Sequence, residues 1–144
     1  MTASGLFSAF NMLAMAGWII LAVGVALKHN WLRDAVAGTY IPIAISAAYL
    51  ILIVFFFAGA DGGFDTLENV QKLFTSPWAA LAGWIHYLAF DLFVGARIAR
   101  GLAEQGLPRW PLILLLPLTF LFGPIGYLAF EIIKAASLRL KAAQ

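Results

Sequence analysis

A chain of 144 residues with 63% hydrophobic side chains, 11% charged ones and a mean hydropathy of +0.93 is not a soluble domain, because such a domain carries about 25% charged residues. The formal net charge is only +2 and no dense run of Lys and Arg occurs, so nucleic acid is excluded as a partner and membrane lipid is expected as the surroundings. The lack of cysteine excludes disulfides, thiolate metal sites and cysteine nucleophiles.

Four apolar segments follow one another, each exceeding the ~20 residues a helix needs to cross a hydrocarbon core. The chain reads as one all-α domain over residues 1–144, an integral membrane four-helix bundle with helices at about residues 6–27, 36–60, 77–100 and 110–134. Helix is the expected form because lipid leaves no backbone polar group unpaired without penalty, and no segment alternates like a strand. The first segment has no basic leader and is longer than a signal-peptide core, so it is read as a retained helix. The connection from Lys28 to Asp34 is short, which makes the first two helices antiparallel neighbours. Trp31 and Tyr40 suit an interfacial aromatic belt, and Pro42 is expected in or just after the first turn of helix two.

Asp61-Gly62-Gly63 is turn chemistry. Phe64, Leu67, Val70 and Phe74 then fall on one helical face, with Asp65 and Glu68 at capping-box spacing. That pattern predicts a short interfacial amphipathic helix between helices two and three. Ser76-Pro77 reads as an N-cap followed by a first-turn proline, opening helix three. Helix four contains Pro117 and Pro124, which predict kinks and freed carbonyls, and Gly123 and Gly126, which permit close helix approach. Lys28, Arg33, Arg97, Arg100 and Arg109 gather at one end of the bundle, and Lys72, Lys134, Arg139 and Lys141 at the other. The basic first loop favours termini that face away from the cytoplasm.

No charged residue lies between Lys72 and Asp91, so His86 and Asp91 sit within the third apolar segment. A carboxylate near a bilayer centre costs roughly 2.5–3.5 kcal/mol on insertion scales, so it needs a structural partner or a task. Neutral forms of carboxyl and imidazole are favoured at low dielectric, which suits proton donation and acceptance. His86 and Asp91 are therefore the candidate catalytic pair. They are separated by about 140° around a helix, so they either flank one ligand or face different neighbours. Trp84, Tyr87 and Asp91 share a face, and the Tyr87 hydroxyl is the expected hydrogen-bond donor to Asp91. Trp84, Tyr87, Phe90, Phe93, Arg97, Phe120, Phe122, Pro124 and Tyr127 are the candidate lining of an apolar ligand slot between helices three and four. The purely structural alternative has His86 and Asp91 bonding freed carbonyls and holding helices together.

Glu131 with Lys134 reads as an ordinary interfacial pair, His29 as solvated, and Ser46 and Tyr49 as candidates to face the bundle. His29 and His86 are too far apart, without cysteine, to make a metal or haem site. Every lysine is at a segment end, which leaves no retinal-type Schiff base, and no Gly-rich phosphate loop occurs. Neither cofactor nor metal is expected.

The string Trp84-Ile85-His86-Tyr87-Leu88-Ala89-Phe90-Asp91-Leu92-Phe93-Val94-Gly95, followed by Leu121-Phe122-Gly123-Pro124-Ile125-Gly126, resembles the abscisic-acid-deficient-four-like family of membrane proteins. Gly62-Gly63-Phe64 and Leu73-Phe74-Thr75-Ser76-Pro77-Trp78 are similar to its bacterial members, and the likeness covers residues 61–133. The family's plant protein is required for neoxanthin formation, so the resemblance implies carotenoid chemistry. It also implies a bacterial inner-membrane location. Forming neoxanthin from violaxanthin is an isomerisation: an epoxide is protonated and opens, and a proton is lost to leave an allene. An acid and a base suffice, and His86 and Asp91 fall on the family's motif positions, Asp91 as neutral donor and His86 as acceptor. The expected ligand is a carotenoid or related isoprenoid. The first rival is a non-enzymatic pigment- or lipid-binding accessory subunit of a membrane complex. The second is a small proton or solute carrier, which in the absence of an internal repeat would call for a homo-oligomer.

Overall fold

The computed structural model describes residues 2–57 and 59–142, and every regular element among them is helical. Helix α1 (Ala3–Ala26) starts where the Thr2 hydroxyl accepts the Gly5 N–H at 3.2 Å. It ends at Leu27, and Lys28 then takes a left-handed φ of 58° that turns the chain.

The polar link expected between the first two helices is shorter than its composition suggests. Residues Trp31–Tyr40 are already π-helical, run without a break into α2 (Ile41–Leu52) and widen to π again over Ile53–Phe57. The second span therefore begins at Trp31 and not near residue 36. Charge pairing allows it: Arg33 Nε and Nη2 each lie 2.7 Å from the Asp34 carboxylate, and Arg100 Nε reaches the same group from a distant helix at 3.1 Å. Pro42 lies eleven residues beyond the start of this continuous span, at the step from π to α. In an α-helix its ring would crowd the carbonyl of Gly38, and the wider π turns relieve that crowding. In keeping with π geometry, Ile41 N–H donates to the Val36 carbonyl, and Thr39 Oγ1 donates to the Asp34 carbonyl at 2.8 Å.

Gly62, at φ 105°, turns the chain towards α3 (Leu67–Leu73). The cap of α3 is Thr66, which accepts the Asn69 N–H at 3.2 Å. Asp65 instead receives the Asn69 side chain at 2.9 and 3.1 Å, so the expected Asp65–Glu68 capping box does not form. The Asn69 amide holds the Asp65 carboxyl below its ordinary range. Leu73, outside the expected apolar face, is the residue α3 buries, while Phe64 and Leu67 point outwards.

Helix α4 (Pro77–Glu104) opens as expected on Ser76, whose hydroxyl accepts the Ala79 N–H at 3.5 Å, with Pro77 in the first turn. It is the central element. The second span, α1 and α5 (Leu112–Ala142) all pack against it, and it buries Leu81, Ile85, Leu92, Ile98 and Leu102. Small side chains at Ala82, Ala89, Gly95, Ala96 and Ala99 permit the close approach. At Gly95 a Cβ would lie 2.6 Å from the Trp18 ring, so this position admits nothing larger.

Helix α5 passes Pro117 and breaks at Phe122 (φ −143°, ψ 41°) and Gly123 (φ 0°, ψ −72°), directly before Pro124. The kink expected at the second proline is present, with its distortion concentrated on the two residues that precede the ring. Four helices among the described residues, Ala3–Ala26, Trp31–Phe57, Pro77–Glu104 and Leu112–Leu140, are long and apolar enough to cross a membrane.

Two expectations follow from this packing. Replacing Gly95 with Leu displaces the Trp18 ring and lowers stability by about 1–3 kcal/mol, read as a shift in the denaturation midpoint of the detergent-solubilised protein; an unchanged midpoint contradicts the contact. Asp34→Asn and Arg100→Gln are coupled by about 1 kcal/mol in a double-mutant cycle, and strictly additive losses would remove the link between the second span and α4.

Candidate functional site

Asp91 lies 14 residues beyond Pro77 and 13 before Glu104, at the middle of α4. It is half-buried and faces the break in α5: a Cβ built on Gly123 would run into its carboxylate, so only glycine lets the two helices meet there. Among the described residues its carboxylate has no hydrogen-bond or ion-pair partner. The expected bond from Tyr87 does not form; Tyr87 is exposed.

His86 faces a different neighbour. Its ring lies 5.4 Å from Tyr49 of α2 and stacks over Phe90 at 4.7 Å. It lines a pocket of about 250 Å³ with Tyr49, Ile53, Phe57, Phe64, Leu73 and Phe74, beneath α3. The structure therefore does not bring His86 and Asp91 together: one faces the second span and the other α5.

The remaining candidates divide in the same way. Trp84 turns to α1, where its Nε1–H donates to Asn11 Oδ1 at 3.2 Å and its ring lies 5.7 Å from Phe7. Phe90 and Phe93 line a cleft of about 310 Å³ on the second-span side, with Pro42, Ile43 and Ser46. Phe120 meets the Trp18 ring edge-on at 5.5 Å. Phe122 sits at the α5 break, Pro124 follows it exposed, and Tyr127 lies 6.4 Å from the Phe130 ring. Arg97 is exposed and joins no ion pair among the described residues. A central helix with neighbours on three sides sends residues spaced around it into separate clefts. Glu131 and Lys134 do pair, with the ammonium also 5.0 Å over Phe130. Among the described residues no group of three His, Cys, Asp or Glu is arranged to hold a metal ion.

The main apolar groove lies elsewhere, between α1 and α5. Both helices pack on α4 but not extensively on each other, and a groove of about 820 Å³ opens between them. Met15, Trp18, Ile19 and Ala22 form one wall, Leu116, Pro117 and Phe120 the other, and Lys28 and Arg109 stand at one end. From Met15 to Lys28 is about 20 Å at 1.5 Å per residue. Asp91 does not line this groove; it is one helical turn before Gly95, the residue the Trp18 ring covers, and it faces Gly123, three residues beyond Phe120. Of the residues expected to line a ligand slot, Phe120 alone is on this surface. Lys28 and Arg109 carried a signal only as the charges that bound the first and last apolar segments, and Trp18 only as an aromatic within the first; their meeting depends on helix arrangement.

No curated protein and no solved structure is significantly similar to the chain. A family model matches residues 5–130, which takes in the motif strings on α4 and α5 and also the N-terminal half. On that match the chain belongs to the ABA DEFICIENT 4-like family.

Proposed function

We propose that this protein works in a membrane, where it binds a carotenoid or related isoprenoid in the α1–α5 groove, and that the Asp91 carboxyl provides the proton for a cofactor-free isomerisation. The observation that carries the reading is the groove itself. It is apolar and about 20 Å long, and its Phe120 end is three residues from Gly123, where the Asp91 side chain faces a broken helix. Family membership supports it, since the family's plant protein is needed for neoxanthin formation.

A single carboxyl is enough for the chemistry. In the neutral form Asp91 donates its proton to an epoxide oxygen; the C–O bond breaks, leaving an alcohol and a carbocation. The resulting carboxylate then removes a proton from a neighbouring carbon, forming the new double bond and regaining its own proton. Atoms and charge balance, and no oxidant or reductant enters. His86 as the acceptor requires a ligand that wraps around α4, because its ring faces Tyr49. Within a low-dielectric bundle a neutral carboxyl also avoids the desolvation penalty of a charged one.

A second reading draws on the exposed aromatic face of α4, where Tyr87 and Phe90 are about half exposed. Such a face suits a non-enzymatic accessory subunit that presents bound pigment to a larger assembly or to further copies of itself.

Chromatography of pigments co-purified from cells making epoxidised carotenoids separates the two. An isomerase yields an enriched carotenoid together with a new isomer. The Asp91→Asn protein should hold as much pigment and form about 10²–10⁴ times less product. Full turnover by that variant ends the catalytic proposal, and a bound but unchanged pigment in both proteins favours the accessory subunit. Well-folded protein carrying no pigment at all ends the isoprenoid reading.

A further inference from the structure

Lys28 and Arg109 stand at the same end of the α1–α5 groove. The Lys28 backbone N–H and Arg109 Nη1 each lie 3.3 Å from the Val25 carbonyl, which fixes the guanidinium over the end of α1. No carboxylate pairs with either cation among the described residues. The neighbouring basic groups differ in this respect: Arg33 and Arg100 share Asp34. Exposed Trp110 lies beside the two free cations, an aromatic of the kind found at headgroup depth. Away from this end the groove walls are apolar, through Ala22, Ile19 and Leu116 to Phe120.

One positive end and a long apolar remainder match an amphiphile with an anionic head. A neutral polyene fills the apolar length without engaging the cations, whereas a zwitterionic lipid would bring its own cation beside them. The groove is long enough as well, since one leaflet's acyl chain covers half of the ~30 Å hydrocarbon core and the groove runs about 20 Å. We propose that the groove is a site for an anionic membrane phospholipid, its headgroup phosphate between Lys28 and Arg109 and one acyl chain laid along α1 towards Phe120. This goes beyond the isoprenoid reading and does not depend on it.

Trp18 and Trp110 line the groove, so a lipid there is visible to tryptophan fluorescence. The protein is placed in phosphatidylcholine bilayers containing a small fraction of phosphatidylglycerol with brominated chains, and quenching is compared with brominated phosphatidylcholine at the same fraction. The anionic lipid should quench at a lower fraction, and Lys28→Gln or Arg109→Gln should each weaken that preference about fivefold. Lys28→Arg, which keeps the charge, should retain it. Ala22→Phe, which fills the groove and leaves both cations in place, should abolish it. Equal quenching by the two lipids overturns the proposal, as does a preference that survives loss of both charges or filling of the groove. Displacement of the lipid by glycerol phosphate at equal concentration would mean that the site recognises free phosphate, and would overturn the assignment to a lipid.

Discussion

The arrangement rests on the close packing of three neighbours around α4. In lipid, apolar side chains gain little from leaving one apolar medium for another, so helix association depends on contact and on how near the backbones come. Small residues provide that nearness from both sides of the α1–α4 contact, Gly95 beneath the Trp18 ring and Gly17 beneath the Leu92 side chain. Because α1 and α5 each satisfy their packing against α4, neither needs the other, and the groove between them is a result of that geometry. The break in α5 belongs to the same economy of space. Gly123 lets the helix pass the Asp91 carboxylate, and Pro124 removes a backbone donor where the ladder is already interrupted.

The charged side chains separate into those that pair across helices and those that join no ion pair among the described residues. Arg33, Asp34 and Arg100 form a part-buried cluster that ties the second span to α4, with Asp34 receiving donors from both arginines. Removing one member would strand the others in a region that solvates charge poorly. Asp91, Lys28 and Arg109 have no such ion pairing among the described residues. Lys28 and Arg109 stand at one end of the α1–α5 groove, and Asp91 faces Gly123, three residues beyond the Phe120 wall of the same groove.

Much of the helix plan was legible because helices long and apolar enough to cross a membrane declare themselves in composition, and caps such as Ser76-Pro77 and a kink at Pro124 act locally. The misplacements have local causes too. Paired charges disguised the start of the second span, since Arg33 and Asp34 read as loop until their bidentate bond is seen. Thr66 and Asp65 are adjacent, and spacing alone does not decide which of them caps α3. The site was less legible for a different reason. Helical periodicity places Asp91 and His86 on different sides of one helix but does not say which neighbour occupies each side. Trp84, Phe90 and Phe120 were grouped by their shared chemistry, whereas the fold assigns them to α1, the second span and the α1–α5 groove. Lys28 and Arg109 meet only because the end of α1 and the start of α5 lie at the same end of α4.

Under the two proposals, a groove with cations at one end and a carboxyl beyond the other discriminates along its length. The mouth favours a negative head, while the middle offers only apolar contact and holds any hydrocarbon of suitable width. On the proposed reading, a ligand that extends past Phe120 and carries a hydrogen-bond acceptor there would meet the Asp91 carboxyl beside the broken helix. A saturated acyl chain brings no acceptor so far from its head and gains nothing from Asp91. An oxygenated isoprenoid does, so the two ligands can share apolar walls and still be told apart by the polar group each one reaches.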